Sequence, residues 1–203
     1  MNNDMKGMMK DAGILFAITV IAGLLLGLVN MFTIDAIAAQ DKATHDAALK
    51  EVFADAADFT LVDGFDTAAA TAVIAADFPM QVIDEANAAK DASGNVLGYV
   101  VTVTTKEGYG GNIQFSLGIQ NDGTLNGMSI LSISETAGLG MRADEVLKPQ
   151  FAGRKADAFK YVKGGAASAE DEINAISGAT ITSNAVTNGV NAGLLYFREA
   201  LQK

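Results

Sequence analysis

No charge falls between residues 12 and 34, and apolar side chains fill most of that run, which Asp11 and Asp35 bound. At the 1.5 Å rise of an α-helix these positions span roughly 34 Å, enough to cross the hydrocarbon core of a bilayer. Beyond Asp35 the pattern changes. Residues 36–57 are rich in alanine, with spaced apolar positions at Leu49, Val52 and Phe53, and predict a helix that leaves the apolar segment. Residues 58–64 read as a loop or short strand, residues 66–76 as a second alanine-rich helix, and Pro79 punctuates the start of a β region.

From there the period drops to two. Residues 80–88 form a plausible strand that ends before the turn at Asp91, Ser93, Gly94 and Asn95. A second strand covers 96–105. In 113–120 the apolar residues Ile113, Phe115, Leu117 and Ile119 alternate with polar or small ones, the pattern of a half-buried strand. Asn121-Asp122-Gly123 is a strong turn signal leading into a further strand over 124–134. Residues 141–151 predict a helix that Pro149 limits, 155–163 an irregular stretch or short strand, and 181–201 a closing helix. In that helix Val186, Val190, Leu194 and Phe197 share one stripe. The fold class is therefore α+β, an N-terminal transmembrane helix followed by a twisted antiparallel sheet with helices over one face. The expected organisation is an N-terminal tip and transmembrane helix over 1–35, a juxtamembrane helical segment over 36–79 and an extracytoplasmic domain over 80–203.

Charge refines the picture of the first segment. Lys6 and Lys10 precede the apolar run and Asp35 and Asp41 follow it, so the positive-inside rule puts the N-terminus in the cytoplasm and the domain outside. A cleaved signal peptide is the rival explanation, with Ala36-Ile37-Ala38 as a small-x-small site. The run is longer than the usual h-region, which favours a retained anchor. Gly23, Gly27 and Asn30 within it suit packing against other membrane helices.

Composition closes off several chemistries. The chain has no cysteine, which rules out thiolate-ligated iron–sulfur clusters, disulfides and thiol nucleophiles. Its single histidine, His45, leaves no material for multi-histidine metal sites or a Ser-His-Asp triad, and reads as a solvated surface residue. The net charge of −10 without a basic cluster argues against nucleic acid as a partner.

What remains is a constellation of glycines and hydroxyls. Ser177-Gly178-Ala179-Thr180-Ile181-Thr182-Ser183 crowds four hydroxyls at the start of the closing helix. A small-residue turn lets backbone N–H groups converge, and a helix N-terminus adds a positive dipole end, so together they favour a phosphate. The alternative is an ordinary N-cap, with Thr182 or Ser183 satisfying the first free amides.

Gly108-Tyr109-Gly110-Gly111, then Glu135-Thr136-Ala137-Gly138-Leu139-Gly140, then Ser177 to Ser183 occur in that order behind one apolar segment. This combination resembles the FMN-binding domain shared by the G subunit of Rnf complexes and the C subunit of sodium-pumping NADH:quinone oxidoreductases. The resemblance implies FMN carried on Thr180 through a phosphoester bond made by a dedicated flavin transferase. It further implies cofactor contacts from Ser177, Gly178, Ala179, Thr182 and Ser183, and from Glu135, Thr136, Gly138, Leu139 and Gly140. Tyr109 is expected to flank the cofactor or to sit at a simple hairpin tip. Leu139 or Met141 is expected against a ring face, and Lys148, Arg142 and Arg154 are candidate partners for the phosphate. Two residues depart from the family pattern: Asn174 stands where it usually has Asp, and Ala137 where it more often has Pro.

The activity so implied is that of an electron-carrying flavoprotein subunit of a membrane-bound ion-translocating ferredoxin:NAD⁺ oxidoreductase, without independent catalysis. Its partners would be the other membrane and redox subunits and the flavin transferase, with the lipid bilayer around 12–34 in the cell membrane. The corresponding subunit of the quinone-reducing pump, or an anchored FMN module outside any respiratory complex, are the alternatives. A pilin-like subunit predicts a glutamate soon after a processing site within the apolar segment, and none is there.

Overall fold

The computed structural model describes residues 3–202. The chain divides into two compact units, Met1–Thr44 and His45–Lys203. A single helix, α1 (Asn3–Val52), begins in the first and ends in the second.

In the first unit the apolar side chains of α1 point outward on every side; Phe16, Leu26 and Phe32 are among the most exposed. A helix apolar all round needs an apolar surrounding, and α1 is long and apolar enough to cross a membrane. Its hydroxyls are handled as a lipid environment requires. Thr19 Oγ1 donates to the Leu15 carbonyl at 2.8 Å and Thr33 Oγ1 to the Val29 carbonyl at 2.9 Å.

The second unit is built on a five-stranded antiparallel sheet in the order β1-β2-β3-β4-β5. The strands are β1 (Asp58–Leu61), β2 (Gln81–Lys90), β3 (Val96–Thr105), β4 (Ile113–Gln120) and β5 (Leu125–Ser132). Helix α2 (Thr67–Ile74) joins the first two, and Asp66 caps it by accepting from the Ala69 N–H at 2.8 Å. Asp122 closes the β4–β5 turn by accepting from the Thr124 N–H at 2.9 Å. One face of the sheet packs on α4 (Thr180–Tyr196), which continues into a π-helical turn at Phe197–Leu201. Phe115, Leu117, Ile119, Val186, Val190, Leu194 and Phe197 are buried together there, as the closing helix's stripe predicts.

The opposite face is covered too, contrary to the expectation of helices on one side. The last turn of α1 and the residue after it lay Leu49, Val52 and Phe53 over Ala89 and Val100 in a second apolar cluster. A side chain on Gly118 would run into Val52, its Cβ lying 2.7 Å from the Val52 carbonyl oxygen. The middle of the other face of β4, at Ser116 and Gly118, is thus buried as well. Ser116 is fully buried and shares a 2.9 Å hydrogen bond with Thr102.

Two further differences follow the chain beyond β5. Residues 141–151 do not form one helix. A 3₁₀ turn (Gly140–Arg142), the four-residue α3 (Ala143–Val146) and another 3₁₀ turn (Lys148–Gln150) replace it; in the last of these Pro149 has no N–H with which to continue an α-helical ladder. The short strands β6 (Lys160–Val162) and β7 (Glu172–Asn174) pair in parallel as a separate two-stranded sheet. His45 is not in open solvent but half-buried beside Glu85, with Nε2 3.0 Å from Oε2.

Candidate functional site

A cavity of about 550 Å³ opens where three loops meet, within the range of roughly 300–1,000 Å³ typical of small-molecule sites. Tyr109 comes from the β3–β4 loop; Glu135, Thr136, Leu139 and Gly140 come from the segment after β5; Gly178 to Thr182 come from the turn into α4. The three sequence motifs therefore lie in one place, although 25 and 47 residues separate the groups that join them.

The joint is the side chain of Glu135. Its Oε1 accepts from the Gly110 N–H at 3.1 Å and its Oε2 accepts from Thr182 Oγ1 at 2.9 Å. One carboxylate thus ties the β3–β4 loop, its own loop and the first turn of α4. Gly140 makes room for it: a Cβ there would lie 2.5 Å from Thr182 Oγ1 and 2.7 Å from Glu135 Oε2.

The turn into α4 depends on Gly178, whose φ of +79° lies in the left-handed region that side chains disfavour. It sends the chain into α4 with Ala179 as N-cap and no side-chain cap. The first intrahelical bond closing this end runs from the Ser183 N–H to the Ala179 carbonyl, 3.0 Å. The amides of Thr180, Ile181 and Thr182 occupy the helix positions that lack intrahelical acceptors, at the positive end of the dipole.

The hydroxyls of the motif divide into separate roles. Thr182 is buried and committed to Glu135. Ser183 is buried as well; its Oγ accepts from the Ile176 N–H and donates to the Ala179 carbonyl, both at 2.9 Å, so it locks the turn from inside and does not line the cavity. Ser177 is exposed and also outside the lining, as is Gly138. Neither Thr182 nor Ser183 caps the helix in the way an ordinary N-cap would. Thr180 lines the cavity from the first position of α4, and its hydroxyl is not engaged by any of the hydrogen bonds just described.

The mouth is apolar. Tyr109 is 71 % exposed, Ile181 52 % and Leu139 41 %. Ile181 carries no polar group, and only its position between Thr180 and Thr182 marks it in the sequence. Met141 is exposed outside the lining.

None of the three expected cationic partners lines the cavity. Arg142 pairs with Glu145 three residues on. Arg154 donates to the backbone carbonyls of Gln150, Ala169, Glu170 and Glu172 and serves the loop before β7. Lys148 lies 2.6 Å from Glu51 and 3.0 Å from Asp144. Burial works against the charge on Glu51, yet hydrogen bonds from Lys148 and Ser129 outweigh it and hold its carboxyl below the ordinary range. Burial opposes the Lys148 charge too, and hydrogen bonds to Glu51 and Asp144 keep that ammonium above its ordinary value.

Asn174 is a fixed point of the approach to the turn. Gln150 Oε1 accepts from its N–H at 2.7 Å and Gln150 Nε2 donates to its carbonyl at 3.0 Å. Its own Oδ1 accepts from the Ala167 N–H at 3.0 Å, a bond that needs an acceptor and not a charge. Among the described residues no group of acidic or histidine side chains could hold a metal ion.

Comparison with known proteins matches the FMN-binding domain over residues 108–195 and the RnfG N-terminal region over residues 1–52. The chain is 36 % identical over 196 residues to the G subunit of the Na⁺-translocating ferredoxin:NAD⁺ oxidoreductase complex of Acetobacterium woodii, covering 96 % of this chain and 94 % of that protein. It is 31 % identical over 206 residues to the G subunit of the ion-translocating oxidoreductase complex of Methanosarcina acetivorans, covering 96 % of each. The C subunit of the Na⁺-translocating NADH-quinone reductase of Parabacteroides distasonis has the same fold. The match has a TM-score of 0.53 and 23 % identity, over 73 % of this chain and 79 % of that one.

Proposed function

Because the chain belongs to the family of G subunits of ion-translocating (Rnf-type) oxidoreductase complexes, we propose that it holds FMN on Thr180 and relays electrons between redox subunits of such a complex. The observation that carries the reading is the difference between Thr180 and its neighbours. Thr182 and Ser183 spend their hydroxyls on Glu135 and on the turn, whereas Thr180 stands at the cavity wall beside the unpaired amides of α4.

The cavity suits the group on three counts. Its volume accommodates a small-molecule cofactor. The helix start offers backbone N–H groups and a positive dipole end to a phosphate, in place of the lysine and arginines expected from the sequence. Leu139, Ile181 and Tyr109 give apolar surface to a flat ring at the mouth. In attachment, Thr180 Oγ bonds to the phosphorus of an activated flavin mononucleotide donor, loses its proton and displaces the donor's leaving group, with the flavin transferase as catalyst. Glu135 positions the start of α4, Gly178 directs Thr180 into the cavity and the amides of the first turn neutralise the phosphate. When bound, FMN supplies the electron-carrying chemistry, and the protein supplies orientation and electrostatics. A covalent bond makes retention independent of affinity on a side of the membrane where free FMN is scarce.

The same reading makes residues 12–34 a single membrane crossing, with Lys6 and Lys10 in the cytoplasm and the FMN-carrying unit outside. The boundary we propose for that unit is His45, since β1, α2 and the end of α1 pack within it. In-gel flavin fluorescence after denaturation tests the attachment. Full-length protein co-produced with its flavin transferase is expected to carry a fluorescent band and the mass of one FMN, Thr180→Val to lose both, and Thr180→Ser to keep them. Equal signal from wild type and Thr180→Val would overturn Thr180 as the acceptor.

A further inference from the structure

The charge of Glu135 has a use beyond holding three loops together. Among the ten residues that line the cavity it is the only one with a charged side chain, and no lysine or arginine shares the lining. Its two oxygens receive one backbone N–H and one neutral hydroxyl, from Gly110 and Thr182. Both bonds orient the carboxylate and neither cancels its charge. An amide would make the same two contacts, its oxygen accepting from Gly110 and its NH₂ donating to the Thr182 oxygen. The clasp therefore does not require an acid, and the acid brings a fixed negative charge to the wall.

Resting on the FMN reading above, we propose that Glu135 poises the redox level of the bound flavin by opposing negative charge in the cavity. Uptake of two electrons with one proton makes the site one unit more negative, whereas uptake of two electrons with two protons leaves its charge unchanged. A fixed carboxylate disfavours the first outcome and not the second. Glu135 thus lowers the midpoint potential where one proton is taken up and moves the change from two-proton to one-proton uptake to higher pH.

The experiment is redox titration of the full-length holoprotein in detergent, followed by absorbance across a pH series, for wild type, Glu135→Gln and Thr182→Val. Glu135→Gln keeps the clasp and removes the charge; Thr182→Val breaks one arm of the clasp and keeps the charge. In the one-proton range Glu135→Gln is expected to raise the ratio of reduced to oxidised flavin at a fixed potential by about tenfold, about 30 mV for a two-electron couple. The pH at which the proton stoichiometry changes should fall in the same variant, and Thr182→Val should move neither by a comparable amount. Thr136 lines the same wall and stands apart from the clasp, so Thr136→Lys and Thr136→Glu, read against each other, give the sign of the effect if Glu135→Gln fails to fold. Lysine should raise the potential and glutamate should lower it. An unchanged potential and proton stoichiometry in Glu135→Gln, an equal shift in Thr182→Val, or no difference between the two Thr136 variants would overturn the proposal. Wild type that carries no flavin would overturn the FMN reading, and this proposal with it; flavin bound with an insensitive potential would overturn this proposal alone.

Discussion

The residues that make the site act over very different distances along the chain. Thr180 is marked by immediate neighbours, because Gly178, two residues before it, and the helix start after it are all local features. Ser183 looks equivalent in sequence, yet its hydroxyl turns inward to Ile176 and Ala179. Only the folded turn separates the two. Glu135 is further from reach still, since its partners lie 25 and 47 residues away. Its dependence on close approach gives a prediction at single-atom scale. Gly140→Ala places a methyl 2.5 Å from Thr182 Oγ1 and 2.7 Å from Glu135 Oε2, both held by the clasp, so it should cost about 1–3 kcal/mol. Gly127→Ala meets nothing within 4 Å and serves as control. Thermal melts of both variants check this, the expected outcome being a depressed Tm for Gly140→Ala only, together with less flavin attached by the transferase.

At the scale of elements, period-two alternation located β3 and β4 to their ends, because the pleat itself imposes that period. It did not foretell that both faces would be covered. The positions of β4 between its apolar ones are Gln, Ser, Gly and Gln, and the small ones among them suit a close-packed interface as well as a wet one. What covers the second face is the end of α1, whose own sequence gives no sign of its target. The adjoining ion pair extends that interface: Glu51 on α1 meets Lys148 between α3 and β6, and Ser129 on β5. Because the folded state holds Glu51 below its ordinary value of 4.5, its contribution is present in full above that pH and is lost as pH falls through the depressed value. The raised Lys148 value acts in the opposite sense, its contribution being lost only above 10.5. Glu51 is close to half exposed, so solvent screens the pair and the effect stays within about 1 kcal/mol. Melts between neutral pH and about pH 3 should show Lys148→Met losing less stability on acidification than wild type does. Identical pH profiles would show that the pair does not couple to folding.

For the whole molecule, the decisive feature is that one unbroken helix belongs partly to each unit. The apolar run of α1 is plain from composition alone, since 23 uncharged positions admit few other readings. Where the second unit begins is not plain, because an alanine-rich helix looks alike before and after residue 45. The core supplies the answer. Leu49, Val52 and Phe53 are each less than a tenth exposed, and burying side chains of this size contributes about 1.5–3 kcal/mol apiece. Together they amount to about 4.5–9 kcal/mol, comparable with the roughly 5–15 kcal/mol that separates folded from unfolded in a typical domain. A chain starting at His45 is therefore expected to fold without detergent and to melt cooperatively. A chain starting at Asp55, which keeps the whole sheet and every cavity residue, is expected to aggregate or to melt at far lower temperature. Circular dichroism melts of the two settle the matter. If the shorter chain proved as stable as the longer, the second apolar cluster would be packing without energetic weight, and the unit would begin at β1. If it fails as expected, the last turns of α1 are themselves a structural part of the unit that carries the site.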